Sequence, residues 1–290
     1  MSMDLRDLRS FLAVVRTGSF TAAAADLGYT QSAVSQHVAA LEADLGTPLL
    51  HRRPVRPTAA GARLAEHAAR IVLRVDVARS ELARAEADPT VVRVAASPLA
   101  APRVLAAALR DLRAAAPAVG VVVEAVGPTD AVSHLATGRV DVAVVDGVVA
   151  PDSPLSLVEA GMLTATVVTQ EPLAVAVPVG HPLARRARID LDIVIDAPWI
   201  DSPALTGAHE RSAPASLRYD GSDVSTLVAL VAAGLGLALL PRSVCAATAG
   251  IVGVPLGAPS LVHRTELLTL RNPSGAAARL AACVRARALS

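Results

Sequence analysis

The sequence predicts an α/β protein with an N-terminal winged helix-turn-helix, a long linker helix and a two-lobed α/β domain. Three short helical patterns and a hairpin occupy residues 1–58, and an alanine-rich helical stretch occupies residues 59–88. Strand and helix patterns then alternate over residues 89–290, which is typical of α/β domains. Of the 290 residues, 53% are hydrophobic and 18% charged, so the chain can bury several cores.

The first two helices are predicted from apolar spacing and from glycine stop signals. The apolar residues at helical spacing in the first helix are Leu5, Leu8, Phe11, Leu12 and Val15. Gly18 ends this helix, because glycine adopts a left-handed cap at little cost. The second helix is predicted over residues 22–27, with Thr21 as its cap and Gly28 as its stop.

The third helix is predicted to begin after a capping residue, Thr30, and to be amphipathic. Its inner face carries Val34, Val38, Leu41 and Leu45. Its outer face carries Ser32, Ser35, Gln36 and Ala39. Serine and glutamine side chains can hydrogen-bond base edges in the DNA major groove. A short turn containing Gly28 joins the second and third helices, as a helix-turn-helix requires.

A compact hairpin with three arginines, Arg52, Arg53 and Arg56, follows the third helix and resembles the wing of such a module. Arginines there are within reach of phosphates or of the minor groove. Residues 1–60 nevertheless hold six arginines against five acidic residues. This small excess predicts weak binding by one module, which dimers or tetramers would multiply.

The segment TQSAVSQHVAALEADLGTPLLHRRPVRPTAAG, which begins at Thr30, resembles the N-terminal domain of LysR-type transcriptional regulators. The shared spacing includes LE at 41–42, PLL at 48–50 and T-x-x-G at 58–61. HPLA at 181–184 and LVAAGLGLALLP at 230–241 resemble the family's effector-binding domain. The DNA-binding residues expected from pattern and resemblance together are Thr30, Gln31, Ser32, Ser35, Gln36, His37, Arg52, Arg53 and Arg56. The chain departs from the family at Gln36, where many members carry arginine.

The helical stretch after residue 58 carries one long apolar stripe: Leu64, Ala68, Ile71, Val75, Ala78 and Leu82. Such a stripe fits a helix that pairs with its own copy. The resemblance implies the same role, a dimerising linker helix. The alternative is that this helix packs on its own effector domain. Asp88–Pro89 marks the end of the stretch.

The predicted elements of the third region are strands and helices in alternation, listed here in order: strand 91–96, helix 102–116, strand 120–126, helix 130–137, strand 140–145, strands 163–168, 173–178 and 217–219, helix 222–233, strands 237–240 and 266–270, and helix 276–289. This order favours a parallel sheet with right-handed crossovers. The resemblance implies two lobes like those of periplasmic binding proteins: lobe 1 over about 91–163 and 267–290, lobe 2 over about 164–266. Strands near 163–169 and 261–267 would cross between them.

Open α/β sheets bind ligands beyond the carboxyl ends of their strands. The effector-binding residues expected there are Ser97, Pro98, Thr129, Asp146, Trp199, Asp201 and Ser202. Ser97 and Thr129 match effector-contacting positions of the family, and each is read as preceding a helix whose N–H groups favour an anion such as a carboxylate. The alternatives are that both only cap helices and that Trp199 is a core residue.

No catalytic motif is present, since the sequence lacks G-x-S-x-G, a P-loop and H-E-x-x-H. Cys245 and Cys283 have no metal-ligand spacing and are read as small buried residues. We therefore expect no enzyme activity, no metal and no cofactor. We expect no signal peptide, because residues 1–9 are charged and fit a helix pattern, and no membrane span, because the longest apolar run, residues 227–240, is too short to cross a bilayer.

These observations predict a cytoplasmic, effector-responsive DNA-binding regulator. Its expected partners are double-stranded promoter DNA, a small-molecule effector and further copies of itself in a homodimer or homotetramer, with no membrane. A pure solute-binding protein is the second interpretation, because the paired lobes alone resemble one. An enzyme acting on a ligand in the cleft is the third.

Overall fold

The computed structural model describes residues 3–83, 91–155, 157, 163–206 and 217–288. The chain divides into two compact units, Met1–Arg79 and Ser80–Ser290, which are described separately. The predicted boundary at Asp88–Pro89 lies outside the described residues. Within the described part of the chain, none of the helices combines the length and apolar character needed to cross a membrane.

The N-terminal unit is a winged helix-turn-helix followed by a long helix, as the sequence predicts. Its elements are α1 (Leu5–Thr17), α2 (Phe20–Leu27), α3 (Gln31–Leu45), β1 (Leu50–Arg52), β2 (Val55–Pro57) and α4 (Ala59–Ala83). Strands β1 and β2 pair antiparallel, with His51 opposite Arg56. Gly18 and Gly28 cap α1 and α2 in the left-handed conformation, at φ 63° and 68°.

Two local predictions in this unit are wrong. The cap of α2 is Ser19, whose hydroxyl accepts a hydrogen bond from the Ala22 N–H (3.3 Å), and Thr21 lies within the helix. Ser19 is extended and precedes the first helical residue, so its side chain can reach back to the first turn. Leu45 is 37% exposed, because α3 ends at this residue, one position before Gly46 turns the chain away.

A single apolar core joins the helices, β1 and the first turns of α4. Its buried members are Leu8, Phe11, Ala13, Val14, Ala23, Ala24, Val34, Val38, Leu41, Leu49, Leu50 and Ala68. Leu64 packs against this core from α4, and Arg9 of α1 forms an ion pair with Asp76 of α4. Part of the predicted dimerisation stripe, Leu64 and Ala68, therefore belongs to the core of its own domain. Ile71, at 44%, and Leu82, at 81%, remain exposed.

The second unit is a mixed α/β structure. Its elements are β3 (Val91–Ala96), α5 (Pro102–Ala115), β4 (Gly120–Ala125), α6 (Pro128–Ala136), β5 (Val142–Val149), β6 (Leu163–Pro178), β7 (Ile200–Asp201), α7 (Pro203–Thr206), β8 (Leu217–Arg218), α8 (Val224–Ala232), β9 (Ala238–Pro241), α9 (Arg242–Ala247), β10 (Ile251–Pro255), β11 (Val262–Leu270) and α10 (Gly275–Ala288). The HPLA segment forms a 3-10 turn, Pro182–Arg185, capped by the His181 side chain.

The main sheet has the strand order β10-β6-β11-β5-β3-β4, and β9 also pairs with β6. Among the described residues of this sheet, β3 pairs in parallel with β4 and with β5, and the other strand pairs are antiparallel. The second lobe adds one short parallel pair, β7 with β8, so the parallel prediction holds for these pairs and not for the whole sheet. Strand β6 is continuous over residues 163–178, where two strands were expected. It pairs antiparallel with β11, β9 and β10, and this long hydrogen-bonded strand carries the chain from one lobe to the other.

Separate cores on either side of the crossing strands define the two lobes. In the first lobe, Leu280 and Val284 of α10 pack with Leu105 and Leu112 of α5, so the C-terminal helix returns to this lobe as expected. In the second lobe, one cluster of buried residues includes Leu205, Leu227 and Cys245, and another includes Trp199.

Candidate DNA-binding surface and effector cleft

The outer face of α3 presents a row of polar side chains to solvent. Gln31, Ser32 and Gln36 are exposed, and Ser35 is half-buried. Thr30 begins the helix: its hydroxyl oxygen accepts a hydrogen bond from the Ala33 N–H at 3.2 Å and lies 3.0 Å from the Ser32 hydroxyl. Thr30 therefore fixes the start of the helix, and the exposed Gln31, Ser32 and Gln36 are of the residue types that can contact base edges.

His37 lies on the same helix but has partners within the domain. Its Nδ1 lies 2.8 Å from the hydroxyl of Ser10, a buried residue of α1. Its ring also meets the edge of the Tyr29 ring, at 5.4 Å between centroids. These contacts fasten α3 to α1, so His37 orients the recognition helix in addition to lying beside its outer face.

The three wing arginines are not equivalent. The Arg52 guanidinium donates to Glu42 Oε2 at 2.8 Å and lies 5.2 Å from the centre of the Phe20 ring. Arg53 and Arg56 are exposed and have no ion-pair partner within the described residues. Arg52 is thus held by its own domain, whereas Arg53 and Arg56 are available for phosphates.

Glu42 connects the recognition helix to the wing, a role that the sequence analysis missed. Its Oε1 accepts hydrogen bonds from the backbone N–H groups of Leu49 (2.8 Å) and Leu50 (3.2 Å), and its Oε2 holds Arg52. The available signal was the glutamate of the LE motif itself, because its side chain lies on a helix that ends shortly before the wing.

We expect the salt dependence of DNA binding to distinguish these arginines. Arg53→Ala and Arg56→Ala should each reduce the slope of log affinity against log salt concentration by roughly one unit, the loss of one phosphate contact. Arg52→Ala serves as the matched control and should leave the slope almost unchanged. Equal slopes for all three variants and the unmodified chain, measured by fluorescence anisotropy, would exclude the wing from DNA contact.

In the second unit, Ser97 lies directly after β3 and is 3% exposed. Its hydroxyl donates to the Val144 carbonyl (3.3 Å) and accepts from the Asp146 N–H (3.1 Å). The expectation that Ser97 precedes a helix is wrong, since the residue before α5 is Ala101, at φ 42°. Ser97 instead joins the ends of β3 and β5. Its neighbour Pro98 is half-buried.

Thr129 is the second residue of α6 and is exposed. The residue that precedes this helix is Gly127, and a Cβ atom placed on Gly127 would lie 3.7 Å from the Ala204 carbonyl oxygen. Ala204 belongs to α7 of the second lobe. The residue before α6 therefore approaches α7 of the other lobe closely, with Thr129 in the first turn of α6 and Ser202 just before α7.

The remaining second-lobe candidates differ in position. Trp199 is 3% exposed and its indole N–H donates to the Val194 carbonyl (2.8 Å), so it is a core residue. Ser202 is also buried. The Asp201 carboxylate accepts a hydrogen bond from Arg218 at 2.9 Å. Arg218 is a second residue that the sequence analysis missed; it follows a stretch outside the described residues, and its pairing with Asp201 depends on the adjacency of β7 and β8.

Asp146 is 2% exposed, and its Oδ2 lies 2.8 Å from Nε2 of His263, which is equally buried. Thr265 is fully buried beside them, opposite Asp146 in the β5–β11 register. His263 and Thr265 were not expected at the site. Polar residues two apart on a strand of an otherwise apolar sheet, as in VHRTELL, are the sequence signal that could have identified them.

The two cysteines lie in different lobes. Cys245 is buried in α9, and burial raises the pKa of its thiol to about 11. Cys283, in α10, is half-buried, and both thiols are free. A thiol with a raised pKa forms little thiolate at neutral pH, so Cys245 is a poor nucleophile.

The N-terminal unit and the two-lobed domain together define a class of protein: a DNA-binding regulator with a ligand-binding domain. Two family descriptions match the chain: "Bacterial regulatory helix-turn-helix protein, lysR family" over residues 5–62, and "LysR substrate binding domain" over residues 85–289. The chain therefore belongs to the LysR family of bacterial transcriptional regulators, as its motifs predict. Members of this family are regulators of transcription and not enzymes.

Curated relatives and solved structures agree with this assignment. The chain is 32% identical over 249 residues to a "Probable hydrogen peroxide-inducible genes activator" of Mycobacterium avium, covering 81% of this chain and 77% of that protein. It is 32% identical over 263 residues to the HTH-type transcriptional regulator AbaB of Streptomyces antibioticus, covering 84% and 83%.

Full-length LysR-type structures share the fold. A variant of full-length OxyR from Pseudomonas aeruginosa matches with a TM-score of 0.54 at 22% identity, covering 99% of this chain and 95% of that one. Full-length CbnR in complex with its target DNA matches with a TM-score of 0.50 at 23% identity, covering 98% and 99%.

Proposed function

We propose that residues 1–58 read promoter DNA, that residues 59–88 join two copies of the chain, and that residues 89–290 bind the small-molecule effector. The observation that carries the DNA-reading role is the exposed polar row of α3, formed by Gln31, Ser32 and Gln36, next to the unpaired wing arginines Arg53 and Arg56. Glutamine and serine supply base contacts, whereas the arginines supply sequence-independent phosphate contacts.

The decisive test of sequence reading is Gln36→Ala. This change should weaken binding to the specific promoter fragment by about 1–3 kcal/mol, the worth of one good base contact, and leave binding to unrelated DNA unchanged. Gel-shift titrations with a fragment from the gene's own upstream region and with a scrambled fragment measure the two affinities. Gln170→Ala, the same substitution at an exposed position of the second unit, is the control. A parallel loss on both fragments would show that α3 does not read sequence.

The effector is proposed to bind in the cleft where the start of α6 faces the start of α7. In this proposal Thr129 and Ser202 lie on the two sides of the close approach between the start of α6 and α7, and the buried Ser97 and Asp146, which share a hydrogen bond, lie next to the carboxyl end of β3. Trp199 supports the second lobe from its core. A ligand that binds one relative position of the lobes better than another would shift the population of that state and so alter DNA binding.

We infer that this effector is not a peroxide that oxidises Cys245, although relatives are named for peroxide-inducible genes. Oxidation by peroxide needs an accessible thiolate. Cys245 is buried, and burial raises the pKa of its thiol. A reversible, non-covalent ligand fits the cleft better.

Self-association is proposed to use the exposed part of α4, which includes Ile71 and Leu82. Ile71→Asp would place an unpaired carboxylate in an apolar seam, so we expect the dimer dissociation constant to rise at least about tenfold. Sedimentation velocity at micromolar concentration measures the change. Ala69→Asp, on the opposite side of the same helix turn, is the control and should remain associated. A wild-type chain that sediments as a monomer would contradict the proposal.

We propose a cytoplasmic location, because the proposed partner is chromosomal promoter DNA. The support for this proposal is that the chain belongs to a family of bacterial DNA-binding regulators.

A further inference from the structure

A group of three buried side chains beside the crossing strands carries polar atoms without hydrogen-bond partners. Within the described residues, no partner exists for Oδ1 of Asp146, Nδ1 of His263 or Oγ1 of Thr265. Each of these residues is at most 2% exposed. Buried polar atoms without partners are unfavourable, so three of them together require an explanation.

The three side chains share one face of the sheet and form one patch. Thr265 of β11 lies directly opposite Asp146 of β5. His263 lies two residues before Thr265 on β11 and on the same face, because side chains alternate along a strand. Its Nε2 is 2.8 Å from Asp146 Oδ2. We call Asp146, His263 and Thr265 the acceptor cluster.

The acceptor cluster lies within the paired strands β5 and β11, just past the level at which β3 ends. Ser97 follows β3 directly, and its hydroxyl accepts the Asp146 N–H. Asp146 itself lies just beyond the last residue of β5 that pairs with β3, Val144. The carboxyl ends of these two parallel strands thus lead directly to the cluster.

The chemistry of the cluster is that of hydrogen-bond acceptors. A carboxylate can only accept, so Nε2 of His263 donates to Asp146; in a neutral ring with this tautomer, Nδ1 is an acceptor. Oδ1 of Asp146 is an acceptor as well, and the Thr265 hydroxyl can accept or donate.

The charged residues of the neighbouring strands are a carboxylate and an ion pair. Glu171 lies opposite His263 in the β6–β11 register. Arg264, the adjacent arginine of β11, is paired with Glu266 at 2.6 Å. A second carboxylate brought to this patch would meet Asp146 in a region of low dielectric, where repulsion between like charges is strong.

Building on the effector-binding role proposed above, we propose that the acceptor cluster contacts the effector and that the effector is a donor-bearing small molecule: an amine, an amino alcohol or a polyol. Its ammonium or hydroxyl groups would donate to Oδ1 of Asp146, to Oγ1 of Thr265 and to Nδ1 of His263. The carboxylate expected from sequence used both Ser97 and Thr129 as helix starts. Ser97 does not begin α5, whereas Thr129 lies in the first turn of α6, so the donor-bearing class is proposed for the acceptor cluster itself.

The test uses matched probes in thermal-shift measurements on the full chain: ethanolamine against glycolate, putrescine against succinate, and glucosamine against gluconate. We expect a donor-bearing probe to raise the melting temperature by about 5–10 °C at roughly 100 times its Kd, and its carboxylate counterpart to have no effect. Thr265→Val should weaken that probe at least about tenfold, and Thr265→Ser should restore its binding.

Controls separate binding from folding. Without a probe, Thr265→Val should melt at the same temperature or higher, since it removes an unpartnered buried hydroxyl. Thr269→Val, on the same strand, should bind the probe normally. Unchanged binding by Thr265→Val, a response to carboxylates alone, or no response to any probe would each overturn the proposal. Gel shifts without a probe test DNA binding separately. If the chain binds promoter DNA while one of these three results is obtained, the proposed ligand class is rejected and the proposed DNA-binding function is retained.

Discussion

Gly61→Ala is expected to destabilise the N-terminal unit by about 2 kcal/mol or more, although alanine normally favours a helix over glycine by about 1 kcal/mol. The reason is a close approach of two backbone segments. A Cβ atom on Gly61 would lie 1.9 Å from the Leu49 carbonyl oxygen, which is backbone and cannot rotate away. Thr58 holds the approach in place, since its hydroxyl donates to the Pro48 carbonyl at 2.9 Å and accepts the Gly61 N–H at 3.0 Å. Overpacking at such a contact typically costs about 1–3 kcal/mol, and more where nothing can relax.

The position of the single tryptophan makes this prediction easy to measure. Trp199, the single tryptophan, lies in the second unit, so its fluorescence reports the unfolding of the effector domain alone. Far-UV circular dichroism reports the helices of both units. Gly61→Ala should lower the melting temperature of the N-terminal unit by roughly 10 °C and leave the tryptophan transition in place. Ala62→Ser, at an exposed neighbouring position, is the control. An unaltered dichroism curve would show that the Leu49 and Gly61 backbones are not in close contact.

This pair of residues shows why the N-terminal unit could be predicted well from sequence. Thr58 and Gly61 have local geometric roles, and so do the capping Thr30 and the stop at Gly18. Such roles need particular residue types at fixed spacing, so motif and helical periodicity locate the elements together. Errors were confined to helix ends, as at Ser19 and Leu45, where one residue of shift changes a cap or a face.

The effector unit was predicted less completely, because its arrangement depends on pairing between distant segments. Alternation of strands and helices correctly indicated the parallel pairs of β3. It could not reveal that β6 continues through residues 169–172, since residues 169–171 are polar, residue 172 is proline, and the stretch pairs with β11, about 95 residues away in the chain.

The same limitation affects the candidate effector site. Asp146 was expected directly after a strand, whereas it lies within β5, and its partner His263 lies in a strand that sequence placed only from residue 266 onward. The pairing of Asp201 with Arg218 likewise depends on two strands that meet only in the folded chain. The sequence indicated single candidate side chains such as Asp146 and Asp201, but it did not indicate the histidine and arginine that pair with them.

Glu42→Ala is expected to have the other large effect, because one carboxylate serves three donors between the recognition helix and the wing. The loss would leave the N–H groups of Leu49 and Leu50 without their acceptor and would free Arg52. A buried donor left unsatisfied costs about 1–3 kcal/mol, so we expect a loss of about 2–4 kcal/mol in the unfolding free energy of the N-terminal unit.

Two matched variants assign this loss to the backbone contacts. Glu42→Gln keeps an oxygen for both N–H groups and loses only the ion pair, and Arg52→Ala removes the same ion pair from the other side. Since the Arg52 side chain is half-exposed, each of these should cost no more than about 1 kcal/mol. The expected order of stability in urea, followed by circular dichroism, is therefore wild type first, the two ion-pair variants close behind and Glu42→Ala far below.

Affinity for promoter DNA should follow the same order, because a displaced wing cannot keep Arg53 and Arg56 beside the DNA phosphates while the recognition helix lies in the groove. Equal stability of Glu42→Ala and Arg52→Ala would mean that the ion pair alone joins the helix to the wing.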